Sequence, residues 1–173
     1  MRLFIILLLF PFFAFSQNKT RSFIQFDVSI PIKGNQNNGS QNNNQQSNNS
    51  WFLPDGINSK IGIGLEPKKW IALGIHSGID WTWSEKIVLV PVFANLRLSP
   101  KISDETRIAL QLGLGKGTAL GRGALNGTYK KISLGIQNDD DLVLFIEMSH
   151  YDIAFKDQKE TGSISLGLSL ITF

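Results

Sequence analysis

Apolar and polar residues alternate along most of this chain, with a period of two residues. In the segment 22–32, the apolar residues from Ile24 to Ile32 share one face, and Gln25, Asp27 and Ser29 share the other. This alternation is typical of a β-strand with one apolar face. Seven segments of the same kind follow, at 59–65, 70–83, 86–98, 107–116, 128–137, 142–155 and 162–173. The sequence therefore predicts eight strands, and Pro91 predicts a bulge or a local break in the fourth.

The first 16 residues have a different pattern. Arg2 precedes an almost wholly apolar run at 3–15, and Ala14 and Ser16 are small residues suited to cleavage before Gln17. These features are typical of a secretory signal peptide. The run is also shorter than the roughly 20 apolar residues that a spanning helix needs. We therefore expect a signal peptide at 1–16 and a single β-barrel domain at 17–173.

Eight strands behind a signal peptide favour a closed barrel in a membrane. Lipid excludes open sheet edges, and eight is the smallest usual strand number for a single-chain outer-membrane barrel. The three predicted connections at one end are all short, whereas of the four at the other end two are long, one is moderate and one is short. Twelve of the 17 residues at 34–50 are Asn or Gln, which predicts a flexible outer loop. The predicted fold is all-β, an eight-stranded antiparallel up-and-down transmembrane β-barrel. A soluble lipocalin-like barrel, with the apolar face inward, is the alternative that alternation alone leaves open.

The two faces of the predicted strands differ in charge. We expect the apolar face to contact lipid and to carry no acid or base before the outer end of the seventh strand. The opposite face carries four acids and four bases, and an eight-stranded barrel has room inside only for side chains. Balanced charges predict a paired network that fills the interior, a porin-like fold without an open pore. The predicted network comprises Asp27, Lys60, Glu66, Asp80, Arg97, Arg107, Lys131 and Glu147.

Aromatic residues gather at the predicted strand ends, where interfacial girdles of membrane barrels lie. The predicted girdle comprises Trp70, Trp81, Trp83, Tyr129, Tyr151, Phe155 and Phe173. The face on which Phe173 lies is ambiguous. Phe173 and Ile171 share one face, but the same face continues through the small residues Ser169 and Gly167, so it is not the apolar face of the strand. Either a bulge near Leu170 shifts the phase, or Phe173 packs inward or at the periplasmic rim.

The composition of the chain argues against several kinds of functional site. The chain has no cysteine, two histidines and a formal net charge of +3. It therefore has no thiolate site, no ligand spacing for a metal, no sign of a cofactor and too little charge to indicate nucleic acid. The expected partners are outer-membrane lipid, the barrel-insertion machinery and an unidentified extracellular ligand, and we expect a monomer.

One segment has the residue types of acyl-transfer chemistry. Ser149, His150 and Asp152 lie close in sequence on the seventh strand. Neighbours on a strand point to opposite faces, so Ser149 should face inward and His150 and Asp152 outward near the rim. A catalytic serine–histidine pair is therefore not expected, and the prediction favours a protein that is not an enzyme.

The mature chain resembles the small outer-membrane β-barrel proteins of Gram-negative bacteria. The resemblance lies in the signal ending A-F-S, the strand V-P-V-F-A-N-L-R-L at Val90–Leu98 and the terminus G-L-S-L-I-T-F. It implies a location in the bacterial outer membrane and insertion as a barrel, and it is unspecific for activity. We expect a non-enzymatic barrel whose loops serve binding, adhesion or envelope integrity.

The last two strands are also similar to outer-membrane lipid A deacylases. These enzymes carry a His-x-Ser-Asn motif on the penultimate strand, before a final strand rich in glycine and leucine. The matching frame here is H-Y-D-I-A from His150, followed by S-L-G-L from Ser165. The resemblance implies a catalytic role for His150, with Asp152 at the position of the nucleophilic serine. A carboxylate does not readily replace that hydroxyl, so the alternative function is a deacylase-like acyl hydrolase or an inactive relative.

Overall fold

The computed structural model describes residues 20–34, 52–121, 125–138, 141–153 and 161–173. Nine strands lie within these ranges. The predicted signal peptide at 1–16, most of the loop at 34–50 and Phe155 lie outside the described residues. The strands are β1 (Arg21–Gly34), β2 (Phe52–Pro54), β3 (Gly56–Lys68), β4 (Ile71–Thr82), β5 (Ile87–Leu98), β6 (Thr106–Leu120), β7 (Asn126–Asn138), β8 (Leu142–Asp152) and β9 (Thr161–Thr172).

Eight of these strands form a closed antiparallel barrel. Each strand from β3 to β8 pairs with the next, β1 pairs with β3, and β9 returns to pair with β1. The ninth strand, β2, is a short extension that pairs with the last residues of β1. No helix in the described ranges is long and apolar enough to cross a membrane. The predicted fold, an eight-stranded up-and-down barrel, is confirmed.

The two ends of the barrel differ in the connections that they carry. The terminal end contains the start of β1, the end of β9 and the β3–β4, β5–β6 and β7–β8 connections. The loop end contains the other four connections, including residues 35–51. Strand β6 runs past its predicted end at residue 116 to Leu120, because Gly117 and Thr118 still pair with β7. The described part of β8 ends at Asp152, before the predicted residue 155.

The burial pattern reverses that of a soluble protein. On β8, Ile146 and Met148 are each 56% exposed, whereas Glu147 between them is completely buried. The same alternation of exposed apolar and buried polar residues continues around the barrel. A barrel with this pattern presents an apolar band to its surroundings and a polar interior, which is the arrangement of transmembrane barrels. A soluble lipocalin-like barrel needs the opposite arrangement, so that alternative is wrong.

The outward face is less free of charge than the sequence suggested. Lys116 and Lys130 are exposed and have the same phase as Leu114 and Ile132. Lys116 was assigned to the end of a strand, but β6 continues beyond it and keeps it on the outward face. The expectation of an outward face without acids or bases before the end of β8 is therefore wrong at the loop end of β6 and β7.

Pro91 produces a local break and not a bulge. Its side chain is fully buried inside the barrel. The β4–β5 ladder pairs Ser77 with Val92 and next pairs Asp80 with Leu89, so two pairs are missing while the register is unchanged. On its other side, Pro91 pairs with Gly117 in an unbroken ladder. The proline lies where its missing N–H interrupts a single ladder.

The closing strand reaches the rim without a change of phase. The register of β9 is continuous with both β1 and β8, so no bulge lies near Leu170. Ile171 is buried inside, and Phe173 at the terminal rim is 40% exposed. The Arg21 guanidinium lies 4.1 Å from the centre of the Phe173 ring. Phe173 therefore packs at the rim against Arg21, which selects one of the two sequence-based alternatives.

The predicted aromatic girdle is partly wrong. Trp70, Trp81 and Trp83 are about half exposed near the barrel ends, at 47%, 47% and 49%. Tyr129 and Tyr151, in contrast, are buried inside the barrel at 0% and 3% exposure. The positions of both tyrosines along β7 and β8 are in phase with the inward-facing residues. Gly117 makes room for the Tyr151 ring, since a Cβ on Gly117 would lie 2.4 Å from that ring.

Candidate functional site: the barrel interior and its mouth

Five charged side chains at mid-height form the centre of the interior. The Lys60 ammonium donates to Glu147 Oε1 and lies 3.4 Å from Asp80 Oδ1. The Lys131 ammonium lies 2.8 Å from Glu147 Oε2 and 3.4 Å from Asp27 Oδ2. Each lysine thus contacts two carboxylates, and Glu147 bridges both lysines. These residues come from β1, β3, β4, β7 and β8, so the network spans the lumen.

A second charged group lies nearer the terminal end. Arg97 Nη2 donates to Glu66 Oε2 at 3.2 Å, and Arg21 Nη2 donates to Glu66 Oε1 at 2.8 Å. The Arg97 guanidinium also lies 4.7 Å from the centre of the Phe23 ring. Arg107 donates to the backbone carbonyl of Lys69. All eight residues of the predicted network are thus inside the barrel, but Arg107 joins it at the rim through a backbone carbonyl.

Buried amides connect the two charged groups. Gln25 Nε2 donates to Asp27 Oδ1 at 2.9 Å and to Gln111 Oε1 at 3.1 Å. Arg97 Nη1 donates to Gln25 Oε1 at 3.2 Å, and Asn95 Nδ2 donates to Gln111 Oε1 at 2.9 Å. Sequence reasoning that counted charges missed these amides. Their inward phase on β1, β5 and β6 was the available signal.

Apolar clusters close the polar interior at both ends. At the loop end, Phe93, Tyr129 and Tyr151 pack in series, with ring centres 4.9 Å and 4.7 Å apart. The Tyr151 hydroxyl donates to Asp80 Oδ2, which ties this cluster to the charged network. At the terminal end, the cluster comprises Phe23, Ala72, Ala109, Val143, Phe145 and Ile171. The interior is therefore a packed core with a polar middle and not an open channel.

A cavity of about 620 Å³ lies above this core at the loop end. Inside the barrel its lining includes Asp80, Lys131 and Tyr151, and it also reaches the outward face of β7–β9. Asp55 stands at its mouth and accepts hydrogen bonds from the backbone N–H of Ser84 at 2.9 Å and from its hydroxyl at 2.6 Å. Polar groups therefore stand at the mouth of this depression, and the network below prevents it from continuing through the barrel.

The candidate catalytic residues lie on opposite faces of β8. Ser149 is inside, with its hydroxyl oxygen 2.9 Å from that of Ser163. His150 is half-buried on the outward face, where it pairs with Lys130 and Gly162, and Asp152 is exposed and pairs with Thr128. The fold thus brings His150 and Asp152 onto one surface and separates both from Ser149.

The described residues contain no group of three or more potential metal ligands. His76 is buried in the lumen, stacks on Phe93 with ring centres 5.4 Å apart, and has Nε2 3.5 Å from Asn95 Nδ2. His150 lies on the other side of the wall. The two histidines therefore cannot share a metal ion.

Comparison with known proteins rests on structure, because no family model and no curated protein matches this sequence. The chain is similar to Neisserial surface protein A (NspA), with a TM-score of 0.57, 10% identity, and 90% of this chain and 99% of that chain covered. It is also similar to the outer membrane enzyme PagL, with a TM-score of 0.53, 12% identity, and 86% and 99% coverage. At these identities the likeness concerns the fold. Together with the exposed apolar band, it establishes the chain as an eight-stranded β-barrel of the bacterial outer-membrane type.

Proposed function

We infer that this protein is a non-enzymatic outer-membrane barrel that is closed to solutes and acts through its loop end. The observation that carries this proposal is the charged network centred on Glu147, which joins Lys60 and Lys131 across the lumen. A selective pore needs an open path lined by groups that bind an ion and release it. Here each cation has carboxylate partners within the core, and apolar clusters lie above and below.

The loop end is the part of the molecule suited to interactions outside the cell. It holds the cavity beside Asp55 and Asp80, and the longest connection in the barrel leaves from it. That connection is rich in Asn and Gln and has no charged residue at 35–51. Amide side chains offer many hydrogen-bond donors and acceptors without a net charge. This composition supports a role in binding, adhesion or envelope integrity.

The terminal end is then expected to face the periplasm, with short connections, and the barrel to insert as a monomer through the insertion machinery. The outward band on each described strand of the barrel supports a protein surrounded by lipid. Membrane fractionation combined with protease treatment of intact cells tests this orientation. Cleavage within 35–51 without loss of the barrel is the expected result.

Conductance across planar lipid bilayers tests the closed interior. The refolded full chain is expected to give no steady current, because no water-filled path crosses the core. A paired variant with Lys60→Ala and Glu147→Ala should introduce current, since it removes the central bridge. Steady, stepwise currents from the unaltered protein would overturn the proposal.

Function through the loop end calls for a second experiment. Gram-negative cells that express the full chain are compared with cells in which residues 36–50 are replaced by a short Gly-Ser linker. The linker variant should keep heat-modifiable migration on gels but lose attachment to coated surfaces or resistance to detergent. Equal behaviour of the two strains in both assays would contradict a role for this loop.

The alternative acyl hydrolase has weaker support. It rests on His150 and Asp152 sharing the outward surface near the loop end. Ser149 faces inward and contacts Ser163, so the hydroxyl nucleophile that such chemistry needs is on the wrong side. Mass spectra of lipid A from expressing cells are expected to be unchanged. Loss of an acyl chain that depends on His150 would instead favour the hydrolase.

A further inference from the structure

Three basic side chains form a patch on the outward face of the barrel near its loop end. This basic patch consists of Lys116 on β6, Lys130 on β7 and His150 on β8. We propose that it holds the phosphate-bearing headgroup of an outer-leaflet lipid, whose acyl chains lie on the apolar wall beneath. The inference rests on the proposed outward orientation of the loop end, but not on the closed interior.

The register of the strands makes the three residues neighbours. Lys130 pairs directly with His150, and Lys116 pairs with Thr128, one outward-facing position beyond Lys130. Diagonal neighbours on one face are about 7–8 Å apart, within reach of long side chains, so the Lys116 and Lys130 ammonium groups repel each other. An anion held between these side chains removes that repulsion, and a phosphate has enough oxygens to accept from all three.

The wall below the patch is suited to acyl chains. The next outward-facing row consists of Leu112, Ile132, Met148 and Ile164, which are between 41% and 56% exposed. The headgroup of one lipid would therefore contact the patch, and its acyl chains would contact this row. Headgroup and acyl chains follow each other in the same order across a bilayer leaflet.

The patch differs in charge from the rest of the outward face at this height on the barrel. In the loop-end half of the described strands, the charged outward-facing residues are Lys116, Lys130 and Asp152, all on the β6–β8 wall. Asp152 pairs with Thr128 at the upper edge of the patch. One carboxylate against two lysines leaves the patch with a net positive charge. The opposite wall carries Trp81 and Trp83 near its loop end.

The surface at the patch is also concave. The cavity at the loop end is lined on its outward side by Lys130, His150, Met148, Gly162 and Ile164. Gly162 has no side chain beside His150, and a Cβ there would have only a carbonyl at 3.5 Å and the His150 ring at 4.0 Å nearby. Lys130 and His150 therefore border a depression and not a flat wall, and Lys116 lies beside Lys130. Charge, an apolar row below and a concave shape together fit a lipid headgroup.

Native mass spectrometry of the full chain in detergent tests the proposal, with diphosphorylated lipid A as the probe and phosphatidylcholine as the neutral comparison. The unaltered protein should retain lipid A in preference to phosphatidylcholine. The variant K116Q/K130Q should bind lipid A about 30-fold more weakly, since each basic side chain near a membrane surface contributes a factor of about five. The matched control, K69Q/K101Q at the terminal end, removes the same charge and should bind as before.

Several outcomes would overturn the proposal. These are equal binding of lipid A by K116Q/K130Q and the unaltered protein, an equal loss in the control, or no preference over phosphatidylcholine. Displacement of the lipid by inorganic phosphate alone would assign the patch to a free anion. Heat-modifiable migration verifies that each variant is folded. The conductance result is independent of this patch, so failure here leaves the closed barrel intact, and a conducting protein leaves the lipid site intact.

Discussion

The two faces of the barrel wall follow opposite rules of composition, and strand β8 shows the contrast in consecutive residues. Ile146 faces outward with more than half of its surface exposed, and Glu147 faces inward between two lysines with none exposed. In a soluble protein the isoleucine would be buried and the carboxylate exposed. The reversal follows from the surroundings, because lipid accepts apolar groups and the narrow lumen satisfies charges through ion pairs and hydrogen bonds between inward-facing groups. A substitution therefore has an effect set by the face on which it occurs.

The largest effect is expected from Glu147→Gln. The change leaves Lys60 with Asp80 alone and Lys131 with Asp27 alone, so two buried cations lose a carboxylate. Breaking a buried ion pair from one side costs about 3–5 kcal/mol. Urea unfolding in lipid vesicles measures the free energy of unfolding. The control Glu105→Gln lies in an exposed connection and should change the free energy of unfolding little. A similarly small change for Glu147→Gln would show that the network does not stabilise the fold.

The second largest effect is expected from Ile146→Lys, which tests the outward face at the residue next to Glu147. A lysine in the middle of a lipid-facing band costs about 2–4 kcal/mol in a membrane barrel. The same unfolding assay in vesicles measures this loss. Ile102→Lys is the matched control, because Ile102 is 63% exposed but lies in the β5–β6 connection outside the band. Equal, small losses for both substitutions would mean that lipid does not surround β8.

A smaller effect is expected for Tyr151→Phe, where the inward face meets the loop-end cluster. The substitution removes the hydroxyl that donates to Asp80 but keeps the ring contact with Tyr129. Loss of a buried hydrogen bond to a charged group costs about 1.5–3 kcal/mol. A double-mutant cycle with Asp80→Asn isolates the interaction. Strictly additive losses in the cycle would contradict direct coupling between the hydroxyl and the carboxylate.

The smallest effect is expected at the terminal rim, where the two faces meet. Arg21→Gln removes the contact with the Phe173 ring and the ion pair with Glu66, in which the Arg21 side chain is 34% exposed. Partly exposed interactions of these kinds contribute about 0.5–1 kcal/mol each. Phe173→Leu removes the ring contact alone and should cost about half as much. If Phe173→Leu destabilises the barrel as much as Ile146→Lys does, the terminal residue has a larger structural role than the rim contact explains.

The sequence alone was enough to predict the architecture. Alternation with a period of two fixes which residues share a face, and a predicted signal peptide with eight strands favours a membrane barrel. The inward charges from Asp27 to Glu147 were identifiable because each lies on the face of its strand opposite the continuous apolar face. Local pattern is sufficient for these features, since the face of a strand residue depends only on its neighbours along the chain.

Only the tertiary structure decided which residues meet. The bridge from Lys60 through Glu147 to Lys131 depends on the register and curvature of strands far apart in sequence. The position of Tyr129 and Tyr151 near strand ends predicted a place at the surface, but both rings lie inside, where Gly117 on β6 leaves room for Tyr151. Likewise, Lys130 and His150 became one patch only through cross-strand pairing. Alternation determines on which side of the wall each side chain lies, whereas closure of the barrel determines its partners.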